Sequence, residues 1–159
     1  MSAVIANEIR EDVGAPAARM GIAVLSLLGV FLAGYLLLHR LGIIGSLACG
    51  ASGGCETVQS SAYATFAGMP VPAIGVGGYL LLLITALVGA QPGLAADRRV
   101  GLALLFLATG ALAFTAYLNY VEAFVLHAWC RFCLGSAALV VLIFLLALTE
   151  LRSVLREAA

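Results

Sequence analysis

Four uncharged apolar runs constrain this chain more than any other feature: Met20–Leu38, Val71–Ala90, Val100–Val121 and Phe132–Thr149. Each is close to the roughly 20 residues that an α-helix needs to cross a hydrocarbon layer of about 30 Å. Inside lipid every backbone N–H and C=O must be satisfied within the bilayer, and helices satisfy them segment by segment. The chain has 159 residues, 64% hydrophobic and only 10% charged, whereas a soluble domain carries about 25% charged residues. It lacks the polar surface to face water all round. The expected fold is all-α: a polytopic membrane protein, a four-transmembrane-helix bundle in a single domain over residues 1–159. Net charge is zero and Lys is absent, and no basic tract is long enough for nucleic acid. The first run exceeds the roughly 7–15 apolar residues of a secretory signal and no A-x-A site follows it, so it reads as a retained helix.

An even number of spans puts both termini on one side. That side, with the turn between the second and third spans, carries Arg10, Arg19, Arg98, Arg99, Arg152 and Arg156, while the other carries Arg40 and Arg131. Basic residues favour the cytoplasm. The expected setting is the inner (plasma) membrane, multi-pass, with both termini cytoplasmic and the loop between the first and second spans and the turn between the third and fourth on the periplasmic or extracellular side.

Those two outer segments and the entrance of the fourth span hold all four cysteines, Cys49 and Cys55 as C-x5-C and Cys130 and Cys133 as C-x2-C. That compartment oxidises thiols and lets disulfides persist. Gly50, Gly53 and Gly54 permit positive φ and close approach of the first pair of sulfurs. The closed ring would be small, so its entropic contribution is low. An exchangeable disulfide is favoured, with an inert loop-pinning one as the alternative. The second pair opens the fourth helix. Unpaired N–H groups and the partial positive charge at a helix N-terminus favour thiolate, the nucleophilic form, and Arg131 adds a formal charge. A rise of about 4.5 Å over three residues sets Cys133 deeper than Cys130. Cys130 is then placed to meet a loop cysteine and Cys133 to meet a molecule dissolved in lipid. Four thiolates could alternatively hold zinc, but the x5 spacing and the adjoining lipid disfavour it. No metal is expected.

After Cys55, Glu56–Gly68 reads as a short interfacial helix with Val58, Ala62 and Phe66 toward lipid, stopped by Gly68, Pro70 and Pro72. Ser60 and Ser61 suit turn capping or a hydrogen bond to a substrate carbonyl. Glu122 reads as reaching the interface, with a proton acceptor as the alternative, and His127 as a bystander. Trp129, Tyr35 and Tyr120 fit an aromatic belt. Trp129 and Phe132, beside the second cysteine pair, are expected to wall a ligand site. Gly75, Gly77 and Gly78 read as close helix packing.

The order of motifs carries a resemblance. A C-x5-C loop, then SSAYATFAGMPVPAIGVGGY, then YLNYVEAFVLHAWCRFCL resembles the prokaryotic homologues of vitamin K epoxide reductase, from about Met20 to Leu151. The resemblance implies a four-helix-bundle membrane oxidoreductase that takes electrons from a thioredoxin-fold (DsbA-like) partner, passes them to a quinone (ubiquinone or menaquinone), and so makes disulfides. It implies that Cys49 and Cys55 are a loop shuttle pair, that Cys130 and Cys133 are the active-site pair beside the quinone, and that Ser61 is the hydroxyl near that site. A partner near about −120 mV cannot be drained by the lower-potential glutathione pool, which makes a higher-potential quinone a sensible sink. Many prokaryotic members carry a fused thioredoxin-like domain; none follows here before Ala159, so a separate partner is expected. Vertebrate members have a tyrosine where Ala137 stands, so the resemblance does not carry vitamin K epoxide chemistry with it. The DsbB-type alternative has the two cysteine pairs in the reverse order. A non-enzymatic membrane scaffold with structural disulfides is the other alternative, and it predicts inert cysteines.

Overall fold

The computed structural model describes residues 1–49, 53–95 and 97–157; the reading of Gly50 falls outside them. Five helices run in chain order: α1 (Ser2–Arg40), the short α2 (Gly54–Ser60), α3 (Val71–Gly89), α4 (Arg98–Val121) and α5 (Arg131–Glu157). The four long ones include stretches able to cross a membrane: Ala17–Arg40, Val71–Gly89, Arg98–Leu126 and Arg131–Ser153. These match the four apolar runs to within a few residues. Together they form a bundle. Helix α1 packs against α3 and α5, and α4 against α5 and α3.

The core lies where these helices cross. Ile22, Ala33, Tyr79, Leu82, Leu104, Ala108, Val140 and Ile143 are buried there, while Phe31, Ile84, Phe106 and Leu145 face outward. That inside-out distribution is what lipid permits, because outward apolar side chains cost nothing in a hydrocarbon solvent. Small residues let backbones approach. A Cβ built at Gly29 would overlap the Tyr79 ring, so Gly29 is the slot that receives that ring. The Tyr79 hydroxyl then donates to the Ser136 carbonyl at 3.1 Å and pairs with its hydroxyl at 2.7 Å, tying α3 to α5. Of the three α3 glycines expected to pack closely, a Cβ would touch a neighbouring helix only at Gly75, against Ala33, and would meet nothing within 4 Å at Gly77 or Gly78; the close approach lies instead at Gly89, where a Cβ would overlap Val100 of α4.

The end of the bundle nearest the termini is closed by a buried ion pair. Arg19 donates Nε to Glu150 Oε1 at 2.7 Å, and both side chains are fully buried. Arg19 Nη1 also donates to the carbonyls of Gly89 and of Leu94, the latter at 2.8 Å. Arg19, counted above among the basic residues on the side of the termini, is an internal clamp on the α3–α4 turn.

At the other end the chain between α1 and α3 departs from a single interfacial helix. α2 starts one residue before Cys55 and stops at Ser60. A one-turn 3-10 segment (Ala62–Ala64) follows, then a two-residue antiparallel pairing of β1 (Thr65–Phe66) with β2 (Met69–Pro70). Ala67 and Gly68, both at positive φ, make the turn between them. Ser60 and Ser61 explain the break: their hydroxyls donate back to Thr57 O and Val58 O, at 3.3 and 2.7 Å, offering the backbone an alternative to continued helix. Consequently Val58 packs toward the cysteines instead of lipid, and Phe66 meets Phe114 edge-on at 5.5 Å.

Candidate functional site

Cys49 and Cys55 form a disulfide, their Cα atoms 6.1 Å apart. Gly53, at φ 60°, precedes α2 in a left-handed conformation that glycine adopts without strain. Gly54 serves a different purpose. A Cβ there would overlap the carbonyl oxygen of Trp129, so the first turn of α2 rests directly on the backbone leading into Cys130. This close approach buries Cys49, Cys55 and Cys130 in one cluster with Leu36 and Leu47, and Cys133 packs on its edge. Sequence reasoning assigned the loop glycines to positive φ and the approach of the two sulfurs; at Gly54 the missing side chain instead admits the Trp129 backbone.

The second pair sits as its spacing implies. Cys130 is the residue before α5, and its carbonyl accepts from Leu134 N at 3.0 Å. Its Sγ accepts the backbone N–H of Cys133 at 3.4 Å, the position from which a cap side chain satisfies a free helix N–H. The Cys133 thiol, and with it that N–H, holds Cys130 below the usual thiol range, while burial and the Glu122 carboxylate work against them. Cys130 and Cys133 are free thiols.

Glu122 is 2% exposed, so it does not reach the interface. A π-helical turn over Glu122–Leu126 ends α4, and His127 at φ 50° reverses the chain. That wide turn brings the carboxylate round to accept Cys130 N–H at 3.1 Å, and the Cys133 thiol lies against the same carboxylate. The signal in the sequence was a lone acid eight residues before Cys130; the π turn that aims it inward leaves no local pattern. His127 is exposed.

A cavity of about 340 Å³ opens between α1, α3, α4 and α5, with Cys133 on its wall. Its lining is largely apolar, including Leu36, Ile74, Phe106, Phe114 and Val140, with Gln59, Asn119 and Ser136 among the few polar groups. Gly78 lines it too, leaving room where a side chain would intrude. A second space of about 30 Å³, near the size of one water, lies beside it and shares Gln59 and Cys133, with Ser61, Tyr63 and Glu122.

Of the residues expected to hold a ligand, Ser61 lines only the smaller space, with its hydroxyl proton committed to Val58 O. Trp129 and Phe132 line neither space. Trp129 points outward, 54% exposed, because its backbone is pinned under Gly54. Phe132 turns to α1, where it stacks on Tyr35 at 5.2 Å, and the Tyr35 hydroxyl accepts Ala48 N–H at 3.2 Å. Tyr35 thus anchors the loop instead of joining an aromatic belt. Sequence reasoning passed over Gln59. It stands four residues after Cys55, hence on the same helix face, and its carbonyl Oε1 is buried without a partner, which costs roughly 1–3 kcal/mol in an empty site.

Among the described residues no three His, Cys, Asp or Glu side chains gather as a metal site. What gathers instead is a disulfide, a thiol pair at a helix entrance and an apolar cavity at membrane depth. The family model of the vitamin K epoxide reductase family matches residues 20–148, most of the chain, and this multi-pass membrane protein belongs to that family of membrane disulfide oxidoreductases.

Proposed function

We propose that this chain is a quinone-dependent thiol oxidoreductase that generates disulfides, passing electrons from Cys49/Cys55 to Cys130/Cys133 and then to a membrane quinone, ubiquinone or menaquinone. The observation that carries this reading is the shared burial of Cys49, Cys55 and Cys130, with Cys133 facing from that cluster into the apolar cavity. The cavity fits a quinone: its volume lies in the range of small-molecule sites, and its walls are apolar with few polar groups. A bound quinone supplies an acceptor for two electrons and two protons.

The residues divide the work. A reduced thiolate of a separate periplasmic, thioredoxin-fold partner attacks the Cys49–Cys55 disulfide at Cys49 and releases Cys55. Cys55, held at the first turn of α2 against the approach to Cys130, attacks Cys130 of a Cys130–Cys133 disulfide, and Cys133 leaves as the free thiolate. In the reduced pair Cys130 is the cysteine held toward thiolate, the form in which a thiol enters exchange. The partner's second thiol then frees Cys49, and Cys49 attacks Cys55 in the Cys55–Cys130 bridge, which reforms the Cys49–Cys55 disulfide and leaves Cys130 and Cys133 as a thiol pair. Closure of that pair to a disulfide gives up two electrons and two protons at the cavity. Both termini are cytoplasmic in this reading, and the four cysteines face the oxidising compartment.

The test uses purified wild type and Cys49→Ala with a reduced thioredoxin-fold partner and a soluble quinone. Quinone reduction by wild type, and a trapped Cys55–Cys130 bridge in the variant on disulfide mapping, is the expected result. Inert cysteines and no quinone reduction would return the chain to a membrane scaffold.

A further inference from the structure

The polar groups on the large cavity are not equally available. The amide of Asn119 donates to Thr115 O at 2.8 Å. The Ser136 hydroxyl is engaged with Tyr79 at 2.7 Å. Gln59 differs: it is 6% exposed, it borders both cavities together with Cys133, and its Oε1 is buried with no partner. Its backbone is fixed, since Arg40 Nη1 donates to Gln59 O at 2.8 Å. Gln59 thus brings to the cavity wall beside Cys133, on a fixed backbone, a carboxamide whose oxygen has no partner within the chain.

We infer that Gln59 is the polar anchor for the ring oxygen of the electron acceptor, holding that ring against Cys133. This rests on the quinone reading above and adds its recognition residue. In the reaction the S–H bonds of Cys130 and Cys133 break and one S–S bond forms. The two electrons and two protons turn two ring carbonyls into hydroxyls. A ring oxygen therefore accepts a hydrogen bond before reduction and donates one after it. A carboxamide matches both states, because its N–H donates and its C=O accepts. A hydrocarbon side chain at this place matches neither. The specificity that follows is for a flat apolar ring bearing an oxygen near the thiol, with no demand for charge. The anchor sits on the same seven-residue helix as Cys55, so one short element carries both the incoming electrons and the grip on their acceptor.

The experiment is equilibrium binding to the full chain in lipid nanodiscs, corrected with empty discs. The probes are 2-methyl-1,4-naphthoquinone and its oxygen-free counterpart 2-methylnaphthalene. Wild type is compared with Gln59→Leu and the near-isosteric Gln59→Met, each checked for an intact Cys49–Cys55 disulfide. Wild type is expected to favour the quinone by about tenfold, the worth of one hydrogen bond. Both variants are expected to bind the two probes alike, at the affinity of wild type for the hydrocarbon. The inference is overturned if the preference survives in both variants, if both probes weaken equally in them, or if wild type shows no preference. Turnover separates the two ideas. Should the preference depend on Gln59 while reduced wild type transfers no electrons to the quinone, the anchor stands and the reductase reading falls.

Discussion

One end of the bundle buries Arg19 against Glu150; the other buries Glu122 among thiols. Both ends place charge-bearing groups out of reach of water, yet the surroundings are opposite. Arg19 and Glu150 answer each other at 2.7 Å, and two backbone carbonyls take further guanidinium protons. Among the described residues that is the only ion pair, so Glu122 has no cation beside it; a backbone N–H and a thiol face it instead. A buried charge that meets its counter-charge holds structure together. A buried carboxylate that meets groups whose own protonation changes during exchange is placed to tune them. The comparison predicts that substitutions at the first end register in stability and those at the second in reactivity.

The largest effect should come from breaking the pair. Arg19→Met leaves Glu150 buried and uncompensated and is expected to cost about 3–5 kcal/mol of stability. Arg19→Met with Glu150→Leu should recover most of it, since apolar replacements of similar volume are tolerated where the pair is removed whole. Thermal unfolding in nanodiscs reads both. If the double variant is as unstable as the single one, the two residues do not act as a pair.

At the cysteine end Gly54→Ala drives a methyl group into the Trp129 carbonyl and lifts the first turn of α2 off the approach to Cys130. A misplacement on the order of 1 Å costs about a hundredfold in a reaction between held groups. We expect the exchange from Cys55 to Cys130 to slow by that order, while the partner's attack on Cys49–Cys55 stays within a few-fold of wild type. Rapid-quench trapping of the two steps separates them, and equal slowing of both would mean that the contact only supports the loop.

The middle of the bundle gives a smaller effect of a third kind. Gly29→Ala overlaps the Tyr79 ring, and overpacking of this sort costs about 1–3 kcal/mol. Because Tyr79 also ties Ser136 at the cavity wall, the variant should lose stability and weaken ligand binding together. Unchanged binding would show that the ring relaxes without moving the wall.

The same division explains what was legible in the sequence. The four spans could be read because lipid demands a continuous apolar segment, a property of neighbouring residues. The placement of Cys130 before Cys133 at a helix entrance followed from spacing for the same reason. The Arg19–Glu150 pair joins residues 131 positions apart, and nothing near either residue announces the other. Glu122 was misjudged because its direction is decided by a π turn, and Trp129 because its backbone, not its ring, is what the fold uses. Ser60 and Ser61 could have ended the expected long helix at its true boundary, since back-donating hydroxyls are a local signal. Gln59 carried a readable cue, its four-residue offset from Cys55, but its importance depends on which polar groups elsewhere on the cavity are already engaged.

The smallest expected effect bears most directly on the difference between the ends. The Cys133 thiol favours the thiolate of Cys130, and the Glu122 carboxylate opposes it. In the reduced protein, alkylation of Cys130 should therefore follow a titration whose midpoint lies below that of an ordinary thiol. Its thiolate is present above that lowered midpoint and lost as pH falls through it. Cys133→Ala removes the main favourable contact and should move the midpoint up. Glu122→Gln keeps a hydrogen-bond acceptor for Cys130 N–H but removes the opposing charge, and should move it down. The other titratable groups around this carboxylate, Cys133 from α5 and Tyr63 from the 3-10 turn, are unchanged in Glu122→Gln. The midpoint, followed with a small neutral alkylating agent and mass spectrometry, does not depend on how slowly the reagent reaches a buried sulfur. Opposite movements in the two variants, with unfolding temperatures near that of wild type, would place Glu122 in the chemistry of the pair. Equal movements, or a loss of stability comparable to that of Arg19→Met, would make Glu122 a structural clamp like its counterpart at the far end.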